Sequence, residues 1–417
     1  MLVQKSNKLN FDDMLFLIRT NRKCKDCDMK VLIFYRIYVD VVLNHMAEIG
    51  RSGNGVGGTS YDTKSYDFPG VPYNKSDFNE RSKCPSQNKN VEDYSNSGEV
   101  RNCNLNGLID LDQSKNNVRV KITEFLNKLI DLGVAGFRID SAKYMWPKDI
   151  SAIQSMTKDL PEGGRPFFYH DVNEEYNDAI KPQEYYQNGR ITEYKFSNKL
   201  AQGLQHFGLL DNVYDPTWGM IDSAHALVFV DNYYTQRHGY QTITHKTVKY
   251  YKMANAFMLA YDYGFPRVMS SYFFGNDIQQ GPPHYGDYSI KNVSVDYSGI
   301  CGNGWVCEHR WSPIGNMVAF RNAVAGTTKK LWRNENDQIS FARGEKGFFA
   351  MTNDGHMDET LQTGLKSGTY CDLISDCRKN ITVDNKGYAR IVMHDTDEPI
   401  IAFLAGMELH KAYMLLK

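Results

Sequence analysis

Apolar and polar positions alternate along this chain in two distinct ways. In the middle, short apolar runs that end in charge are separated by longer segments of helical period. At 117–132, Ile122, Phe125, Leu126, Leu129 and Ile130 fall on one helical stripe, and Gly133 follows as a stop signal. VAGFRID (134–140) is the first such run; a helical stretch at 147–157 then leads to a second, PFFYHDV (166–172). ALVFVDN (226–232) repeats the design, and a helix-like segment at 248–264 precedes FPRVMSSY (265–272). Earlier, RIYVDVVLNH (36–45) is a run of the same kind. Strands spaced by helices predict βαβ units and a parallel sheet buried on both faces. In a parallel α/β barrel the chemistry gathers at the carboxyl ends of the strands. Those ends carry Asn44 and His45, Arg138 and Asp140, His170 and Asp171, and Asp231 and Asn232.

Between His45 and the helix at 117 lies a stretch rich in Gly, Ser, Asn and Asp. A structureless loop of that length is improbable inside a domain, so it reads as a small domain inserted on one βα loop. From about 330 onward the period changes. QISFARG, GFFAMTN, GTYCDLI, ITVD, GYARIVMHD and PIIAFLAG are short strands with turn residues between them, predicting a separate antiparallel β-module. The predicted layout is an N-terminal segment at 1–35, a barrel at 36–325 carrying an insertion at about 46–115, and a β-domain at 326–417.

Composition adds exclusions. The 417 residues suit two or three domains, and 41% hydrophobic with 13% aromatic residues rules out a mostly disordered chain. The 48 basic and 49 acidic residues leave a net charge of −1, which gives no electrostatic footprint for nucleic acid or an anionic membrane. No apolar run approaches the roughly 20 residues of a spanning helix. The first residues lack the apolar stretch and cleavage site of a secretory signal.

The segments RIYVDVVLNH, GVAGFRIDSAKYMWPKDI, ALVFVDN with QR closely following, GFPRVMSSY and CGNGWVCEHRW, in this order, resemble the animal-type α-amylases of glycoside hydrolase family 13. The resemblance covers roughly residues 36–417. It implies an α/β fold, a (β/α)8 TIM-type barrel, with a small inserted domain and a C-terminal antiparallel β-domain. The strand at 36–45 matches the family's third, so the barrel is expected to be incomplete, lacking its first two strands. An open barrel would leave strand edges unpaired, and the chain is expected to be a truncated or mis-assembled version of an amylase.

By resemblance Asp140 is the nucleophile of a retaining glycosidase, and Arg138, two residues back on the same strand face, holds it ionised; a plain strand-end salt bridge is the alternative. The acid/base position, Glu in the family, is Asp171 here. The shorter side chain withdraws the carboxyl by about 1.5 Å, one C–C bond. The family's third carboxylate and the histidine before it are replaced by Tyr234 and Tyr233 in FVDNYYTQR. A neutral, bulky tyrosine supplies neither the charge nor the shape of an aspartate. Hydrolysis of α-1,4-glucan (starch or glycogen) is therefore expected to be strongly reduced or lost. The alternatives are a non-catalytic glucan-binding or interaction protein on the same scaffold, and an unstable relic.

The resemblance also implies ions. Calcium would be held by Asn44, Asp110 and the backbone carbonyls of Arg101 and Tyr144, oxygen ligands suited to a hard cation. Chloride would be held by Arg138, Asn232 and Arg267, the last of which is otherwise an ordinary ion-pair partner. His45 and Lys143 match substrate contacts. Cys84–Cys103, Cys301–Cys307 and Cys371–Cys377 match disulfide positions and imply secretion into an oxidising compartment, with the protein acting as a monomer. Cys24 and Cys27 form a CKDC without a second pair, poorly suited to zinc or redox work. Asn74, Asn292 and Asn380 head glycosylation sequons.

Overall fold

VAGFRID forms a strand over its whole length, and its first six residues are all buried. That continuous burial is the mark of a strand inside a parallel sheet covered on both faces. The computed structural model describes residues 15–18 and 35–406, apart from positions 56, 176, 240, 297–298, 354 and 395–396; Cys24 and Cys27 lie outside the described residues. The chain divides into two units, Met1–Thr192 with His225–Leu227 and Glu193–Ala224 with Val228–Lys417.

The sheet of the first unit contains β1 (Leu15–Ile18), β2 (Tyr35–Val42), β3 (Val134–Asp140), β4 (Phe167–His170), β5 (Arg190–Thr192) and β6 (Ala226–Val228), hydrogen-bonded in that order. From β2 to β6 every pairing is parallel. β1 instead runs antiparallel to β2, from Leu15 opposite Tyr38 to Ile18 opposite Tyr35. This corrects the expectation of a bare edge on β2, because the backbone groups on its outer side are met by a strand from within the first 35 residues. β3 packs tightly between its neighbours at Gly136. A Cβ there would fall 2.4 Å from the Phe167 carbonyl oxygen and 2.7 Å from the Tyr38 ring.

The helix α1 (Asn116–Asp131) buries Val118, Ile122, Leu126 and Ile130, while Phe125, predicted on the same stripe, stays exposed. It ends at Gly133, whose φ of 97° is the left-handed stop that glycine takes without strain. α2 (Pro147–Met156) opens on a proline, whose missing N–H costs nothing in the first turn. The strands are shorter than their apolar runs suggest. The pattern 36–45 ends its ladder at Val42, 166–172 at His170, 226–232 at Val228 and 265–272 at Pro266. Asn44, Asp171, Asp231 and Asn232, among the polar residues that close these runs, lie beyond the strand ends.

The long excursion after β2 has a closed neck. His45–Glu48 pairs antiparallel with Leu108–Asp110. Inside it Phe68, Tyr73 and Phe78 form a buried aromatic cluster, and Cys84 bonds Cys103.

The second unit begins with α3 (Tyr194–Gln205), followed by α4 (Val248–Ala260), the short strand β7 (Phe265–Pro266) and α5 (Ser312–Ala323). α4 is buried along most of its length and packs against α5. Two four-stranded antiparallel sheets follow. One orders β8 (Lys329–Glu335), β9 (Gln338–Arg343), β10 (Gly347–Thr352) and β15 (Ile400–Leu404); the other orders β11 (Met357–Gln362), β14 (Tyr388–Met393), β13 (Asn380–Val383) and β12 (Gly368–Cys371). Phe348, Met357, Tyr370, Ile391, Ile401 and Phe403 fill the core between them. β8 and β11 differ from the expected strands, since LWRNE and MDETLQ carry too few apolar residues to signal them. Cys301–Cys307 and Cys371–Cys377 are bonded as expected. The three sequon asparagines are exposed. Among the described residues no helix is long and apolar enough to cross a membrane.

Gly136→Ala is expected to destabilise the protein by about 1–3 kcal/mol or more, because backbone rather than a flexible side chain stands in the way. An unchanged urea midpoint would contradict the tight β2–β3–β4 packing.

Candidate active site

Parallel register builds the site in the first unit. Asp40 on β2 stands opposite Arg138 on β3, and Val42 opposite Asp140. Side chains two apart on a strand share a face, so Asp40, Arg138 and Asp140 converge. On β4 His170 pairs with Ile139, and the next residue's backbone N–H, that of Asp171, donates to the Ile139 carbonyl at 3.0 Å. Asp171 thus lies past the strand end on the side of Asp140, while His170 turns the other way into the packed layer.

The Arg138 guanidinium gathers these acids. Its Nη1 donates to both carboxylate oxygens of Asp40 at 2.7 Å and to Asp140 Oδ1 at 2.9 Å, and Nη2 donates to Asp171 Oδ2 at 2.6 Å. The Arg138 side chain is only 6% exposed, against 20% for Asp140, 17% for Asp171 and 47% for Asp40. The cation is therefore inside and the acids face outward, the order needed for carboxylates that must reach a ligand. Ser141, in the left-handed region at φ 53°, donates its hydroxyl to Asp140 Oδ2 at 2.9 Å. Thr192 Oγ1 lies 3.4 Å from Asp171 Oδ1. Both acids therefore sit in one hydrogen-bonded frame.

His45 adjoins this frame. Burial holds its imidazole below the usual histidine range, and the charge of Asp140 works in the opposite direction. Lys143 is buried as an ion pair with Asp178 at 2.5 Å, and its ammonium lies 4.9 Å from the centre of the Tyr94 ring. Asp40 and Asp178 were missed in the sequence. A single acid in the otherwise apolar YVDVVL was a signal for the first; Asp178, in a polar loop, gave none.

The oxygen-rich set lies close by in the same unit. Asn44 accepts the Leu111 N–H at its backbone carbonyl (2.9 Å), and His45 stands opposite Asp110. Asp110 Oδ2 accepts from Asn79 at 2.6 Å, whereas Asp110 Oδ1 and Asn44 Oδ1 are buried with no hydrogen-bond partner among the described residues. Burial pushes the Asp110 carboxyl far above the carboxylate range. The turn Ser97–Asn102, which holds Arg101, packs against Ala142–Tyr144. Arg101 donates to the Tyr185 hydroxyl at 3.2 Å, and that hydroxyl donates to the Met145 carbonyl at 2.9 Å. Among the described residues no group of three or more His, Cys, Asp or Glu is placed to hold a metal. That count does not touch a set built of one carboxylate, one amide and two carbonyls.

Asn232 and Arg267 belong to the second unit. Asn232 Oδ1 accepts the backbone N–H groups of Tyr234 (2.9 Å) and Thr235 (2.8 Å), capping a helical turn at Thr235–His238. Tyr233 and Tyr234 are half exposed, and the Tyr234 ring lies against that of His238. The Arg267 guanidinium lies 4.9 Å from the centre of the Phe229 ring. Asp231 accepts from Tyr251 and Gln236, and burial pushes its carboxyl up to about 7, reinforced by the negative charge of Glu308.

Residues 10–206 match the profile of the alpha amylase catalytic domain, and residues 332–402 that of the alpha amylase C-terminal all-beta domain. The chain is 45% identical over 392 residues to an alpha-amylase of Pecten maximus, covering 89% of this chain and 77% of that protein. It is 41% identical to the pancreatic alpha-amylase of Homo sapiens, covering 90% and 79% respectively. Its fold superposes on the crystal structure of alpha-amylase I from Eisenia fetida with a TM-score of 0.82 at 38% identity, covering 89% of this chain and 81% of that one. A mutant of that earthworm enzyme has been crystallised with maltohexaose.

His170 makes the site's support sensitive to acid. It is fully buried, neither ring nitrogen has a hydrogen-bond partner among the described residues, and burial holds its imidazole down at about 3. Below the unfolded value near 6.5 the unfolded chain takes up a proton that the native chain refuses, so this histidine removes stability as pH falls through that value. Asp231 has the opposite sign, its raised carboxyl favouring the native state as pH falls from about 7. Comparing wild type with His170→Gln cancels such background terms. Between pH 7 and pH 5 the wild type is expected to lose about 2 kcal/mol more than the variant in urea unfolding. Parallel pH profiles would contradict the neutral, unpartnered imidazole.

Proposed function

The chain belongs to the alpha-amylase family, and from that membership we propose that it is an endo-acting hydrolase of α-1,4-glucans whose turnover is strongly reduced. One observation carries the proposal: a single buried guanidinium bonds Asp140 and Asp171 together. In this reading Asp140 attacks the anomeric carbon while Asp171 gives a proton to the leaving oxygen. Water then attacks the glycosyl–Asp140 ester, giving its proton back to Asp171, and the sugar leaves with retained configuration. Ser141 and Arg138 steady the nucleophile, and His45 and Lys143 line the sugar side. The maltohexaose bound to the earthworm relative supports an oligosaccharide as the ligand.

The reduction has three sources. Asp171 is a methylene short of the family's acid. Its Oδ2 is held by Arg138 at 2.6 Å, so proton delivery from that oxygen first breaks a charge-assisted hydrogen bond. Tyr233 and Tyr234 occupy the positions of a histidine and a third carboxylate. A displacement near 1 Å in a reacting group costs about 100-fold.

Calcium fits the donor set. The two buried, unpartnered oxygens of Asn44 and Asp110 are what a hard cation satisfies. Held with the carbonyls of Arg101 and Tyr144, the ion would supply positive charge to a buried carboxylate and tie the end of β2 to its excursion. The three disulfides support secretion, and we propose that the protein acts as a monomer.

A second reading, glucan binding without turnover, is favoured by the half-exposed rings of Tyr233 and Tyr234. Starch hydrolysis by reducing-end release, beside glycogen binding, separates the two. The expected result is slow turnover, abolished by Asp140→Asn and raised about 10- to 100-fold by Asp171→Glu. Saturable glycogen binding with turnover absent from both the wild type and Asp171→Glu would transfer the case to the binding reading.

Removing calcium with a chelator is expected to lower the melting temperature by several degrees, since ligand at 100 times its dissociation constant contributes about 2.7 kcal/mol. Asp110→Asn should abolish the calcium-dependent shift. A variant that still responds to calcium would refute this ligand set.

A further inference from the structure

We propose that the outer face of the C-terminal β-domain carries a two-histidine chelate for a late first-row divalent cation, formed by His356 and His394. The two residues lie just outside β11 and β14, whose terminal pair is Met357 opposite Met393. Extending that register by one residue sets His356 opposite His394. Met357 and Met393 point into the core, so their neighbours point out, and both histidines are exposed.

The geometry is already that of a chelate. The two Nδ1 atoms approach to 3.2 Å, with ring centroids 5.0 Å apart and planes inclined by 32°. Two imidazole nitrogens bound to one tetrahedral ion at about 2.0–2.1 Å stand roughly 3.3–3.4 Å apart. The nitrogen spacing therefore suits one shared ion once the rings turn their lone pairs toward it, and the backbone pairing beside them has already limited their freedom. Without metal, one Nδ1–H donates to the other Nδ1. With metal, both rings take the Nε2–H tautomer and turn both Nδ1 lone pairs to the ion, a shift that solvent mediates with no net change in protons.

Asp358, two residues from His356 on the same strand face, adds a negative charge within electrostatic reach of both rings. Its carboxylate is held by the fork of Arg390, at 2.7 Å from Nε and 2.6 Å from Nη2, so it shapes the field without ligating. Water completes the coordination. Imidazole ligands select copper, nickel and zinc over calcium and magnesium, with copper tightest. Such a site is independent of the glucan cleft and of the oxygen set at Asp110.

The full-length protein, kept in excess calcium, is titrated with Cu2+ at pH 7.5 and followed by electron paramagnetic resonance, with Zn2+ as competitor. One equivalent is expected to show hyperfine coupling to two nitrogens. His356→Asn and His394→Asn should each weaken that site at least tenfold and leave the calcium-dependent melting shift untouched. Either single variant binding copper like wild type, or a spectrum without two-nitrogen coupling, overturns the proposal and leaves the pair as a histidine–histidine hydrogen bond.

Discussion

One guanidinium, buried at the centre of the first unit, reconciles three carboxylates that would otherwise repel one another. Arg138 makes its bonds to Asp40, Asp140 and Asp171 through two nitrogens of a rigid planar fork. Because an arginine stays charged at any working pH, the group cannot relieve the burial by losing its proton. It is stable only while acids surround it, and the acids are ordered only while it stands between them. The pairing of β2, β3 and β4 is what brings the four residues together, since a slip of one residue would turn Arg138 to the opposite face. Gly136 serves the same end, letting the three strands approach closely just below the charged layer.

Much of this was legible in the chain. VAGFRID ran as a strand from end to end, with its charged residues at the carboxyl end. Asp140, Arg138 and Asp171 came together as their positions at the ends of successive strands implied. What escaped has a common cause. Asp40 stood out locally as the one acid in an apolar run, but its partnership with Arg138 depends on the register with β3, which no local pattern records. Asp178 became a buried partner of Lys143 through a contact made by a loop. β8 and β11 were too polar to stand out, since each is covered on one side only. The apolar runs also overstated strand length, because a run continues apolar wherever the chain is buried, whether or not its backbone is paired.

β1 was the least readable element. Its four residues lie outside the motifs read in the sequence, although the family profile matches from residue 10 onward, and they run antiparallel along β2. A strand edge imposes no sequence requirement beyond available backbone donors and acceptors, which is why pairing can arise where side-chain patterns give little guidance. In the second unit the opposite holds: the alternation of buried and exposed residues along β14 is strict, and it places the histidine beyond its end on the outer face.

The adjacency of Asn44 and His45 has a thermodynamic corollary. The first residue offers an unclaimed oxygen beside Asp110, and the second lies within the electric field of Asp140. Where two events separated by a single peptide bond influence one another, the coupling is reciprocal. If a cation settling beside Asp110 steadies His45 toward a sugar, then sugar in the cleft must tighten the hold on that cation by the same factor. Mineral occupancy and carbohydrate occupancy then become one equilibrium, read from either end.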